Sequence, residues 1–110
     1  MTPDEIRAAW ARFMHRGDLS ADMTAVEIFA IERIVERLTF TPEWQSADDG
    51  MADAPLLFLH AGLIYLHELA QDDEGMAREI SAFEDAVAGY SMRKSRERNR
   101  TVDPFTYARS

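Results

Sequence analysis

The sequence predicts an all-α protein, a small bundle of about four helices with an extended basic C-terminal tail. Hydrophobic residues recur at steps of three and four along most of the chain, the spacing of one helix face. No segment alternates apolar and polar residues as a half-buried strand does. At 110 residues, the chain has room for one hydrophobic core.

The first helix is predicted over residues 3–16. Thr2 is placed as N-cap, Pro3 takes the first helical position where its missing N–H costs nothing, and Glu5 completes a capping box. Gly17 suits the C-terminal end. Apolar residues then share one face at helical spacing: Ile6, Trp10, Phe13 and Met14.

The second helix is predicted to begin near Ser20 and to end at Thr41, because the residue before Pro42 is pushed out of the α region. Its apolar residues recur at steps of four and three, the spacing of a narrow packing seam. We expect this seam to face the core: Thr24, Ile28, Ile31, Val35 and Leu38.

Residues 41–53 are predicted to form a loop, rich in acidic and small residues. Loops of this length are usually functional or mobile. Trp44 lies within it. We expect Trp44 to cover the domain's own core; the alternative is an interface anchor for a neighbouring subunit, since buried tryptophans dominate interface energetics.

The third helix is predicted from about residue 54 to 70 and is apolar on nearly every side. Such a helix is buried on every side, so it should be the central helix, and in so small a bundle it favours self-association. After a break at residues 72–75, the fourth helix carries a second seam that should pack inward: Met76, Ile80, Phe83, Val87 and Tyr90.

The formal net charge of -8 is divided unequally along the chain. Residues 1–92 hold six basic and eighteen acidic side chains, whereas residues 93–110 hold six basic and two acidic ones. The acidic part repels phosphate backbones. The sequence therefore predicts a helical bundle domain over residues 1–92 and a C-terminal interaction tail over residues 93–110.

The tail has few apolar residues, so we expect it to be extended and to order only on a partner. Its basic and aromatic side chains are the predicted partner-binding residues. They are Arg93, Lys94, Arg96, Arg98, Arg100, Phe105, Tyr107 and Arg109.

No motif in the sequence names a chemical reaction, and there is no cysteine. His60 and His67 lie seven residues apart, whereas metal-ligating pairs on one helix sit three or four apart. We interpret them as hydrogen-bonded core or interface histidines, and expect no catalytic residue, cofactor or metal. The most apolar window, residues 54–66, is too short to span a membrane, which takes roughly 20 apolar residues.

The chain resembles the small helical head-to-tail connector (adaptor) proteins of tailed bacteriophages. The resemblance lies in the acidic helical bundle followed by a C-terminal extension, and in the segments GLIYLHELA (62–70) and FEDAV (83–87). It implies a homo-oligomeric ring beneath the portal, in which each tail reaches into the portal protein and the body receives a downstream connector or tail protein.

We therefore expect a non-enzymatic structural protein of the virion, assembled in the host bacterial cytoplasm, with double-stranded DNA passing nearby without sequence-specific binding. The alternative is a small regulatory helical module, antitoxin-like or nucleic-acid-associated, that uses the Arg-rich tail for binding.

Overall fold

The computed structural model describes the backbone of residues 1–102 and the side chains of residues 1–98. This range is all-helical, as predicted, and contains no strand. It holds five helices: α1 Pro3–Arg16, α2 Met23–Arg37, α3 Ala47–Asp53, α4 Pro55–Leu69 and α5 Asp73–Val102. None of these helices is both long and apolar enough to cross a membrane.

The beginnings of α1 and α2 follow from side-chain caps. Thr2 Oγ1 accepts from the Glu5 amide, and Glu5 Oε1 accepts from the Thr2 amide, both at 3.2 Å, so the predicted capping box is confirmed. Asp22 accepts from the Thr24 amide at 3.3 Å. Since Asp22 is the N-cap, α2 begins at Met23 rather than near Ser20.

The predicted loop over residues 41–53 is wrong for its second half, which forms α3. Ser46 Oγ accepts from the Asp49 amide at 3.2 Å, and Asp49 accepts from the Gln45 amide at 3.0 Å. Acidic residues in the first turn also favour the positive end of the helix dipole. These caps give the bundle a fifth helix within the described range, where the sequence pattern predicted four.

The central position of the third predicted helix is confirmed in α4, which contacts α1, α2, α3 and α5. Its buried side chains come from several sides of the helix: Leu57, Phe58, Ala61, Ile64, Leu66 and His67. Among the five helices, α4 supplies the largest share of the buried hydrophobic residues.

A close contact in the core joins α1 to α4. The Trp10 indole is fully buried and donates from Nε1 to the Leu59 carbonyl oxygen at 3.1 Å. A Cβ at Gly62 would lie 2.3 Å from atoms of the Trp10 ring. Only glycine therefore leaves room for the indole against the α4 backbone.

The predicted seam of α2 is wrong in register. The buried face is formed by Val26, Ala30 and Ile34, whereas Ile28 is 50% and Val35 47% exposed. Ala30 at the middle of the buried face permits close packing against α4. Two apolar stripes run along α2. Of the predicted one, Ile31 and Leu38 are half-buried against the core, whereas Thr24, Ile28 and Val35 are exposed.

The predicted seam of the last helix is confirmed by burial of Phe83, Val87 and Tyr90. The helix does not end there: residues 93–102 continue α5, so the expected extended conformation is wrong for this stretch. Arg, Lys, Glu and Met are good helix formers. Ion pairs at helical spacing add to this, since Glu97 Oε2 lies 3.2 Å from Lys94 Nζ and Glu97 Oε1 lies 3.9 Å from Arg93 Nε.

The remaining predicted tail residues have no described side chain. Phe105, Tyr107 and Arg109 lie outside the described residues, as does the side chain of Arg100. The predictions for them stay predictions.

Gly62 and Gly89 form a matched pair for testing the packing of Trp10. Gly62→Ala should destabilise the fold by about 1–3 kcal/mol, because its methyl group overpacks the core against Trp10. Gly89→Ala should stabilise it by roughly 0.5–1 kcal/mol, because no atom lies within 4 Å of the added Cβ and alanine favours a helix. Urea unfolding measures both values. Equal effects would contradict the packing described for Trp10.

Candidate docking groove at the C-terminal helix

A groove of about 640 Å³ opens between the segment after α2, helix α3 and the C-terminal part of α5. We call it the docking groove. Its lining combines aromatic rings, four carboxylates and two cations: Phe40, Trp44 and Tyr90, then Glu43, Asp49, Asp53 and Glu97, then Lys94 and Arg98. It joins the predicted loop residue Trp44 to three residues near the end of α5.

Asp53, the last residue of α3, is the centre of the hydrogen bonds in this groove. Its Oδ2 accepts from Trp44 Nε1 at 3.0 Å and from the Tyr90 hydroxyl at 2.6 Å. Its Oδ1 accepts from Lys94 Nζ at 3.1 Å and from Arg93 Nη2 at 3.3 Å, and the same Arg93 nitrogen donates to the Asp53 carbonyl oxygen at 2.5 Å. One carboxylate therefore connects the loop, α3 and α5.

The electrostatics of the groove follow from this arrangement. Burial opposes ionisation of Asp53, but hydrogen bonds from Trp44, Tyr90 and Lys94 outweigh it and lower the pKa of Asp53. Burial, together with donation to Asp53, raises the pKa of the Tyr90 hydroxyl. Burial alone would lower the pKa of Lys94, yet its hydrogen bonds to Asp53 and Glu97 raise it. Asp53 and Lys94 therefore form a charged pair at neutral pH.

Aromatic rings and cations share the walls of the groove. The Tyr90 ring centroid lies 6.0 Å from that of Phe40 and 6.3 Å from that of Trp44. Arg93 lies 5.1 Å and Lys94 5.5 Å from the Tyr90 ring centroid, and Arg98 lies 5.6 Å from that of Phe40. These distances suit cation–π attraction.

Trp44 also packs onto the core, with its ring centroid 5.3 Å from that of Phe58. A Cβ at Gly50 would come within 2.7 Å of Phe58 and 2.9 Å of Trp44, so this glycine lets both rings lie against α3. Trp44 therefore covers the core of its own chain and lines the groove with the rest of its surface. A contact with a neighbouring subunit stays a prediction.

The predicted partner-binding residues divide into two groups in the structure. Arg93 and Lys94 contact Asp53 of their own chain, and Arg98 lies over Phe40 in the groove wall. Arg96 is exposed, with Nη2 3.4 Å from Met92 Sδ. The first group positions the helix end, and Arg96 faces solvent.

Sequence reasoning missed three residues of the site: Phe40, Asp53 and Tyr90 as a groove residue. Asp53 is one acidic residue among several between residues 43 and 53, and no local pattern distinguishes it. Its role depends on donors up to 41 positions away. Tyr90 was predicted only as a seam residue.

The two helix-α4 histidines are hydrogen-bonded, as predicted. His60 Nδ1 lies 2.7 Å from Glu79 Oε2, and His67 Nδ1 lies 3.0 Å from Asp72 Oδ2. His67 is buried, with its ring centroid 4.4 Å from that of Phe13. In the described part of the chain, no three His, Asp or Glu side chains are grouped as a metal site would need.

Comparison of the chain with protein-family models, curated proteins and solved structures found no match. The described residues form an all-helical bundle with a groove where basic and aromatic side chains meet.

Replacing Asp53 tests the hydrogen-bonded centre of the groove. Asp53→Asn should lower the free energy of unfolding by about 1–3 kcal/mol at neutral pH, because charge-assisted hydrogen bonds are lost. Since the pKa of Asp53 is lowered on folding, its stabilisation is complete above the ordinary value of about 4 and is lost as the pH falls through the folded-state value. The difference in free energy of unfolding between wild type and Asp53→Asn should therefore become smaller in acid. Urea unfolding across pH measures it.

Asp85→Asn is the matched control, because Asp85 is exposed on α5 and loses the same charge. It should change stability by less than about 0.5 kcal/mol. If the difference in free energy of unfolding between wild type and Asp53→Asn stays constant into acid, the ionised state of Asp53 is contradicted.

Proposed function

We propose that the protein is a structural adaptor that self-associates and docks onto a larger assembly through the basic end of α5, as a bacteriophage head-to-tail connector does. In this proposal it is a non-enzymatic virion protein that forms a ring under the portal. The observation that carries the proposal is the meeting of the basic end of α5 with the aromatic docking groove, on an otherwise acidic body.

The contacts of Arg93 and Lys94 support this function by fixing the helix end in place. Both side chains contact Asp53, so the segment beyond them is held as a helix before any partner arrives. Preorganisation lowers the entropy lost on binding. A docking element of this kind needs no folding step on its partner.

The chemistry of the groove and the helix end also indicates the partner. Exposed arginines and the rings of Phe40 and Trp44 suit a protein surface that offers carboxylates and apolar side chains. The proposed partners are the portal protein and a downstream connector or tail protein. The net negative charge of residues 1–92 suits a channel wall past which DNA moves without binding.

Binding to a portal protein tests the proposal. We expect the full chain to form a complex with the portal protein encoded beside it, seen by size-exclusion chromatography and by ring-shaped particles in electron micrographs. Arg98→Gln/Arg100→Gln should weaken the complex about tenfold or more, since about 1.4 kcal/mol corresponds to a factor of ten.

Arg12→Gln/Arg16→Gln is the matched control, because it removes the same charge from exposed positions on α1 and should leave binding unchanged. A genome with no portal or capsid gene beside this one would overturn the connector proposal. Salt-sensitive binding to RNA or DNA that is lost in Arg98→Gln/Arg100→Gln, without portal binding, would instead support a regulatory nucleic-acid-associated module.

A further inference from the structure

Helix α2 carries an apolar face that the described residues of the chain leave about half exposed. Ile28 and Val35 are each about half exposed and lie seven residues apart, so they share one side of the helix. Glu32 and Glu36 lie beside them and are exposed. We call these four residues the outer face of α2.

The two carboxylates lack a basic partner in the part of the chain whose side chains the structure describes. Among residues whose side chains the structure describes, no basic group pairs with Glu32 or Glu36, whereas Arg37 donates to Glu84 at 2.9 Å and Arg7 to Glu27 at 2.7 Å. This face therefore combines half-exposed apolar side chains with two carboxylates that pair with no described basic side chain.

A complementary surface exists on the C-terminal part of α5. Met92 is 55% exposed, and Arg96 is exposed with its guanidinium against the Met92 sulfur. At 100° per residue, these two side chains lie on the side of α5 opposite Lys94, which contacts Asp53. We call Met92 and Arg96 the outer face of α5.

We propose that the outer face of α2 binds the outer face of α5 from a second copy of the chain. The contact places Met92 against Ile28 and Val35, and Arg96 against the two carboxylates. Because Met92 and Arg96 point away from their own body, the same chain cannot make this contact with itself. This inference rests on the proposed function, in which the protein self-associates.

Charge decides which pairing of the two faces is favoured. Two copies of the outer face of α2 would oppose Glu32 and Glu36 with the same carboxylates, and two outer faces of α5 would oppose arginines. Like charges across an interface cost several kcal/mol. The contact is therefore heterologous, and repeated contacts of this type close into a ring or continue as a filament.

Reciprocal charge reversal tests the contact. One variant is Glu32→Arg/Glu36→Arg and the other is Met92→Glu/Arg96→Glu; all four positions are exposed, and circular dichroism checks that both variants fold. By sedimentation velocity, wild type should associate, each variant alone should be monomeric under the same conditions, and an equal mixture of the two should associate again. The mixture restores the contact because each reversed face then meets an opposite charge.

Glu74→Arg/Asp85→Arg is the matched control, since it reverses two other exposed acids and should associate like wild type. Monomeric wild type, undiminished association of either variant, or a mixture that stays monomeric would each overturn the inference.

Portal binding separates this inference from the proposed function. Glu32→Arg/Glu36→Arg leaves the end of α5 unchanged, so it should still bind the portal protein as a monomer. Failure of wild type to bind the portal protein overturns the proposed function. Wild-type association that neither charge reversal weakens overturns only the contact between α2 and α5.

Discussion

The position of the C-terminal part of α5 depends on the hydrogen bonds that the ionised carboxylate of Asp53 accepts. This carboxylate accepts hydrogen bonds from the loop through Trp44 and from α5 through Tyr90, Arg93 and Lys94. A partly buried carboxylate is stable only when donors replace its lost water. The same donors thereby fix the loop against α5, and the docking groove is the space that this arrangement leaves open.

The basic C-terminal stretch is partly paired and partly exposed in the folded protein. Part of the basic C-terminal stretch is neutralised within the chain, because Arg93 and Lys94 pair with Asp53. Arg96 faces outward, as do the carboxylates of α2. In the proposed contact between copies, Arg96 meets Glu32 and Glu36, for which the described side chains of one chain supply no basic partner.

Local signals in the sequence predicted most of the helices, and nonlocal contacts explain the errors. The Thr2 and Glu5 cap, the apolar α4 and the seam of Phe83 depend on near neighbours and could be found from spacing. The buried side of α2 could not, because two apolar stripes compete and packing against α4 selects the one centred on Ala30. The continuation of α5 beyond Tyr90 was missed because a segment with few apolar residues gives no burial signal for a helix. Asp53 was missed because its donors lie far along the chain.

Amide hydrogen exchange over α5 tests most directly whether the basic segment belongs to the folded body. If the Asp53 contacts hold it in place, the amides of residues 91–98 should exchange slowly in wild type, with protection approaching that of residues 83–90, and should exchange faster in Asp53→Asn. Exchange at the rate of an unstructured chain over residues 91–98 in wild type would contradict the account.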